Sequence, residues 1–168
     1  MGLKYNNLDK ILRVFYEYPE KRFTVRELAK KTRIPKSTVH KYLRELKKSR
    51  RVTKENQAAS TALFKTEKTF FYIEELFESG LIEYLTDKLR PSCIILFGSF
   101  RKGESAKESD IDLFVETLKK QDLDLAKFEK VSGHKIQLFT EQSINNLPDN
   151  LFNNVVNGIK IEGFFKIR

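Results

Sequence analysis

The stretch "CIILFGSFRKGESAKESDIDLFVE", residues 93–116, decides how this chain is read. An apolar run ends abruptly at Gly98-Ser99. A basic, glycine-containing loop follows, and then Asp110 and Asp112 flank Ile111 inside a second apolar run. In a strand, residues i and i+2 point to the same face, about 7 Å apart. The spacing therefore predicts that Asp110 and Asp112 project together while Ile111 and Leu113 turn to the buried face. Two carboxylates held this way repel each other unless a cation lies between them. Mg²⁺ takes oxygen ligands and commonly uses one or two carboxylates together with phosphate oxygens. Gly98, at the end of a strand, lets a phosphate come close to the backbone. The Ser99 hydroxyl and the amides beyond it can donate to phosphate oxygens. Arg101 and Lys102 supply positive charge in the same loop. Together these parts suit a metal–triphosphate site built for in-line attack at phosphorus.

The flanking sequence predicts the frame. Residues 69–89 read as two consecutive helices. The first has Phe70, Ile73, Leu76 and Phe77 on one face and ends at Gly80; the second is stopped by Pro91. The run up to Phe97 reads as a strand covered on both sides, residues 110–116 as a second strand and 134–140 as a third. Residues 122–132 read as a helix closed by Gly133. A helix over 150–157 and a last strand over 159–165 complete an α+β unit, a small mixed sheet flanked by helices.

Residues 96–115 also resemble the minimal nucleotidyltransferases of the DNA polymerase beta superfamily. That signature is an apolar strand, Gly-Ser, a loop of about ten residues and Asp-x-Asp on a strand. Here Gly98-Ser99, residues 100–109 and Asp110-Ile111-Asp112 follow the same order. The resemblance implies transfer of a nucleoside monophosphate from ATP or another nucleoside triphosphate to an acceptor. Asp110 and Asp112 would be the catalytic carboxylates holding Mg²⁺ or Mn²⁺, and Gly98, Ser99, Arg101 and Lys102 would hold the nucleotide. Active members carry a third carboxylate on the next strand, where it helps deprotonate the attacking hydroxyl. The matching position in this chain is Gln137, which can neither act as a base nor bind magnesium well. Glu116 and Glu141 share the parity of the two sites but lie too far along their strands to substitute. His134 is read as strand-edge surface, with a remote acid/base role as the alternative.

Charge separates the two ends of the chain. Residues 1–68 hold 19 Lys and Arg against 7 Asp and Glu, and residues 69–168 hold 13 against 16, within a net charge of +9. One end suits a polyanion and the other does not. The expectation is therefore two domains, 1–68 and 69–168. The basic half opens with a helix over residues 7–18, ended by Pro19. Thr24 and Glu27 form a capping box for a short second helix, which turns Leu28 and Ala29 inward. Pro35 suits the first turn of a third helix, reaching Lys48. That helix buries Val39, Leu43 and Leu46 and shows Ser37, His40, Lys41 and Arg44 on its opposite face. Two short strands, residues 50–55 and 61–66, are expected to follow as a β-hairpin.

This plan resembles the winged helix-turn-helix regulators of bacteria and archaea. Lys36, Ser37, Thr38, His40 and Lys41 would then meet base edges in the major groove of double-stranded DNA, and Arg44, Arg50, Arg51 and Lys54 would lie near phosphates. The alternative for the same basic face is dimerisation or partner docking alone.

The remaining composition is permissive. No apolar run approaches the roughly 18 residues of a spanning helix, and no signal-peptide core is present. The single Cys93 reads as a core residue. A cytoplasmic protein without membrane contact is expected. Two functions stay open. One is a nucleotidyltransferase with its own DNA-binding domain, in which case a HEPN-like toxin is a candidate partner, because small members of the family transfer AMP to such toxins. The other is a winged-helix transcription regulator whose degenerate second domain only binds a nucleotide or a partner. A homodimer is expected in either case.

Overall fold

The computed structural model describes residues 5–167. The elements run α1 (Asn7–Glu17), α2 (Val25–Thr32), α3 (Lys36–Lys48), α4 (Ala62–Glu78), α5 (Leu81–Leu89), β1 (Cys93–Phe97) and α6 (Gly98–Lys102). There follow β2 (Ile111–Glu116), α7 (Ala126–Ser132), β3 (Ile136–Glu141), a 3₁₀ turn (Ile144–Asn146), α8 (Asp149–Val156) and β4 (Ile159–Gly163). The architecture is α+β, with a helical amino-terminal part carrying a helix-turn-helix and a small mixed sheet flanked by helices.

The first three helices form for local reasons. Asn6 and Asp9 make a capping box at the start of α1, and Thr24 and Glu27 make another at the start of α2. Arg33 ends α2 in the left-handed region at φ 58°. Pro35 is the N-cap of α3 and not its first helical residue. As expected, α3 buries Val39, Leu43 and Leu46. These side chains meet Ile11, Phe15, Phe23 and Leu28 in one apolar core.

The hairpin expected after α3 is not formed as two strands. Only one bridge, Val52 opposite Ala58, joins the arms. The tip folds back instead: the Phe23 amide donates to the Asn56 carbonyl at 3.0 Å, and the Asn56 side-chain amide donates to the Phe23 carbonyl at 2.9 Å. The residues read as the second arm, 61–66, open α4. Thr61 caps that helix, its hydroxyl accepting from the Phe64 amide at 3.1 Å. A cap residue followed by a helical burial pattern overrides the β tendency of a short apolar run.

Helix α4 also revises the expected packing and bears on the boundary drawn at 68/69, which falls inside it. Its buried face carries Phe64, Lys68, Thr69, Tyr72, Glu75 and Leu76. Phe70 and Phe77, expected inside, point to solvent. The buried polar residues explain the rotation, because each meets a partner on another element. The Thr69 hydroxyl donates to the Phe100 carbonyl at 3.0 Å, and Lys68 donates to the Ser105 carbonyl. Burial lowers the Lys68 pKa to about 8, with the Lys65 charge adding to the effect.

The sheet order is β3-β2-β1-β4. β1 is antiparallel to both neighbours, and β2 is parallel to β3. Because β1 lies inside the sheet, its alternating side chains enter two cores. Ile94 and Leu96 join the large core, while Cys93, Ile95 and Phe97 join a smaller one with Phe114, Ile144 and Val155. This accounts for a continuous apolar run in place of an alternating one. Cys93 is fully buried, and burial pushes its thiol up to about 11. Helix α7 starts at Ala126, later than the expected residue 122, with an Asp124 carboxylate oxygen accepting from the Ala126 amide at 3.0 Å.

Arg13 of α1 ties the helical part to the sheet part. Its guanidinium donates to Glu17 at 3.1 Å, to the Tyr5 hydroxyl at 2.9 Å, to Glu75 at 3.0 Å and to the Ser132 carbonyl. The Glu75 side chain is only 2% exposed, and burial raises its pKa against the pull of Arg13. Removing one partner of a buried ion pair typically costs about 3–5 kcal/mol, because the other charge is left uncompensated. Arg13→Met is expected to lower the urea-unfolding free energy by about that amount. Adding Glu75→Gln in the same chain should restore more than half of the loss.

Candidate functional site

The site lies where β1 ends and β2 begins. Phe97, the last residue of β1, is the register partner of Asp112 in β2, and Asp112 in turn is the register partner of Gln137 in β3. The strands thus bring Asp112 and Gln137 side by side on one face. Phe97 and Phe139 share that face, with ring centroids 5.3 Å apart, and form an apolar floor next to the polar row.

Gly98 follows Phe97 and turns the chain with φ +70°. A Cβ at this position would overlap the carboxylate of Asp112. Glycine is therefore required twice, for the left-handed conformation and for the close approach of that carboxylate. The segment expected to be a loop continues as one short helical turn, α6, through Ser99, Phe100, Arg101 and Lys102. Its first amides have no preceding carbonyl to bond within the turn. Arg101 and Lys102 are exposed on the same turn. Phe100 is buried and anchors it against Tyr72 of α4, with ring centroids 4.7 Å apart.

Asp110 lies just before β2 and is exposed, whereas Asp112 is half-buried. Burial raises the pKa of Asp112, and the charge of Asp110 raises it further. No hydrogen bond or ion pair reaches either carboxylate among the described residues. Two adjacent acids, one desolvated and neither neutralised, form a donor set that a divalent cation fits. No group of three or more His, Cys, Asp or Glu able to hold a metal occurs among the described residues. A cation here would have two protein carboxylates, the number Mg²⁺ uses when phosphate oxygens complete its shell.

The other acidic candidates are committed elsewhere. Glu116 accepts from the Ser92 hydroxyl at 2.6 Å and from the Ile144 amide at 2.7 Å. Glu141 accepts from the Gln142 amide at 3.2 Å. His134, expected at the surface, is buried: its Nδ1 lies 2.9 Å from the Ser109 carbonyl, and its ring packs on Phe100 and Tyr72. Burial lowers its pKa and so favours the neutral ring beneath the segment that leads to Asp110.

That segment has a second support, which has no local sequence signal. The Lys107 amide donates to the Glu17 carbonyl at 2.8 Å, and its ammonium reaches the Glu17 carboxylate at 3.4 Å and the Gly133 carbonyl at 3.3 Å. Glu17 lies 90 residues away in sequence.

At the helix-turn-helix, Lys36, Ser37, His40, Lys41 and Arg44 are exposed on α3, Thr38 is half-buried, and Arg50 is exposed just after the helix. His40 and Arg44 border a shallow depression with Asn56 of the turned-back tip. Arg51 has a partner within the chain. Its guanidinium is held by Glu67 of α4, with Nε 2.7 Å from one carboxylate oxygen. Lys54 is tied through its backbone carbonyl, which accepts from the Lys47 ammonium at 2.9 Å.

Comparison with known proteins agrees with this geometry. Residues 79–161 match the polymerase beta nucleotidyltransferase family. A Methanocaldococcus jannaschii protein, named as a candidate protein adenylyltransferase, is 37% identical over 86 residues, covering 47% of this chain and 85% of the relative. The chain belongs to the polymerase beta nucleotidyltransferase family. Residues 10–55 match the IclR helix-turn-helix domain, so the nucleotidyltransferase unit follows a helix-turn-helix. No solved structure matches the chain significantly. No helix among the described residues is long and apolar enough to cross a membrane.

In this nucleotidyltransferase, Gly98→Ala tests the contact between the turn and the carboxylate. It should abolish metal-dependent ATP binding in isothermal titration, because Asp112 must move. The accompanying loss of stability should stay near about 1–3 kcal/mol, the usual cost of forcing a side chain into a strained backbone.

Proposed function

We propose that the chain transfers a nucleoside monophosphate, with ATP as the donor, onto a hydroxyl of a protein partner, and that its helix-turn-helix binds double-stranded DNA. One observation carries the transfer reading: the unneutralised Asp110–Asp112 pair set against Gly98 at the end of β1. In this reading Asp110 and Asp112 hold Mg²⁺ or Mn²⁺, which supplies charge neutralisation and orients the triphosphate. Gly98 and Ser99 receive the phosphates, and Arg101 and Lys102 balance their charge. The Phe97–Phe139 floor excludes water from one side of the reacting centre. The acceptor oxygen bonds to the α-phosphorus, pyrophosphate leaves, and the acceptor's proton must go to a base.

The name of the archaeal relative supports adenylyl as the group transferred and protein as the acceptor. Within this family a HEPN-like toxin is the partner that such transfer fits. The protein would then be an antitoxin that also regulates transcription, working in the cytoplasm beside DNA and nucleotides.

The register Asp112↔Gln137 favours a second reading alongside the first. Gln137 stands where the family's base stands and cannot take a proton. Binding without fast transfer would make the domain a nucleotide or partner sensor for the DNA-binding half.

Label transfer from α-³²P-ATP to a co-purified partner separates the two readings. A positioned base is worth about 10²–10⁴ in rate. Wild type is expected to transfer slowly, and Gln137→Glu or Gln137→Asp at least about tenfold faster. Asp110→Asn with Asp112→Asn should remove both transfer and metal-dependent ATP binding. Rapid wild-type transfer that is slowed by the acidic substitutions would place the base elsewhere. Metal-dependent binding that survives the double substitution would remove the metal from this site.

DNA binding is tested on the full chain, because α4 is shared between its halves. Lys41→Glu with Arg44→Glu should weaken duplex binding by more than about tenfold at low salt and flatten its salt dependence, because fewer counterions are released. Unchanged binding would assign the basic face of α3 to a protein partner.

A further inference from the structure

We infer that α4 is a dimerisation helix, pairing antiparallel with α4 of a second copy of this chain about a two-fold axis at Phe70. Leu63, Phe70 and Phe77 are spaced seven residues apart on α4 and are 56%, 63% and 50% exposed. Thr66 and Ile73 fall between them at the intervening positions, Thr66 exposed and Ile73 half-buried with part of its side chain against the chain's own core. The series 63, 66, 70, 73, 77 is the alternating three-and-four spacing of a helix–helix seam. It lies on the side of α4 turned away from Thr69, Tyr72 and Leu76, which pack within the chain.

Three further features select the occupant. The seam is symmetric about Phe70, with Leu63 as far before it as Phe77 is after it. An antiparallel copy would therefore set Phe70 on Phe70 and Leu63 on Phe77, the self-complementarity that an isologous contact requires. The charges of α4 also run against its own dipole. The first turn has no acidic residue and the last turn no basic one, while Glu74 and Glu78 are exposed near the carboxyl end. Acidic side chains at a carboxyl terminus are unfavourable. An antiparallel neighbour brings its positive end beside them, whereas a parallel one would bring a second set of acids. Finally, Phe70 lines a groove of about 560 Å³ in which Leu8, Leu12 and Phe71 lie beside charged residues such as Glu45 and Glu74, which gives a partner helix both apolar and polar contacts.

This inference stands apart from the nucleotidyl-transfer reading, since none of the seam residues belongs to that site. Two-fold pairing would present two copies of α3 related by the same axis, the arrangement that inverted-repeat DNA reads.

Sedimentation equilibrium and oxidative cross-linking of the full chain test the geometry. The wild type should sediment at about twice the 19.8 kDa chain mass. Phe70→Glu should raise the dimer dissociation constant by at least about 30-fold while leaving the circular dichroism melt unchanged. Phe70→Cys should form a disulfide-linked dimer with itself. Leu63→Cys alone and Phe77→Cys alone should not, whereas the two in one chain should cross-link. Buried Cys93 stays silent throughout. A monomeric wild type, a Phe70→Glu variant that still dimerises, or absence of the Phe70→Cys cross-link would each overturn the proposal. Efficient self-linking by Leu63→Cys alone would replace it with a parallel pair.

Discussion

The polar groups on the buried face of α4 constrain the whole molecule. Lys68, Thr69 and Glu75 are buried there, and a buried polar group without a partner costs free energy comparable to a lost hydrogen bond. Each therefore fixes another element. Lys68 draws in the Ser105 carbonyl, Thr69 the carbonyls of α6, and Glu75 the Arg13 guanidinium. One helix thereby holds α1 on one side and the Gly98–Lys102 turn on the other. The helix-turn-helix and the nucleotidyltransferase unit consequently share a continuous apolar core that runs from Ile11 to Ile136.

The site is a compromise between repulsion and use. Asp112 is half-buried and neighbours the charge of Asp110, and both disfavour its charged form; its carboxylate also lies close against Gly98. The neutral amide of Gln137 beside it adds no further negative charge. A third carboxylate at that position would deepen the repulsion in the absence of a cation. Gln137 adds none of that repulsion, and as a neutral amide it does not accept a proton.

The segment before Asp110 is held from beneath by His134 and from the side by Glu17, which belongs to the first helix of the helix-turn-helix part. Arg13, one turn earlier on α1, reaches the carbonyl of Ser132 at the end of α7, just ahead of β3. Glu17 and Arg13, both on α1, thus brace the segment before Asp110 and the approach to β3. A change in the position of α1 would be felt at Asp110 and at the start of β3 through these hydrogen bonds, which provides a direct mechanical path between the two units.

Local chemistry determined much of this protein in advance. The capping boxes at Asn6 and Thr24, the burial of Val39, Leu43 and Leu46, the strand Cys93–Phe97 and the Gly-Ser and Asp-x-Asp pairing all depend on neighbours within a few residues. Even the placement of Gln137 opposite Asp112 was legible, because strand parity carries over between parallel neighbours. Other features were decided only by contacts between distant residues. Phe70 and Phe77 fit an inward face as well as an outward one until Thr69 and Lys68 found carbonyl partners in the 100–105 segment and rotated α4. The second arm of the wing gave way to a helix when Asn56 bonded back to Phe23 and left Thr61 free to cap α4. Arg51 paired with Glu67, and His134 went inside beneath Phe100. In each case the side chain could satisfy its polar atoms in more than one way, and only the assembled fold supplied the partner that decided between them.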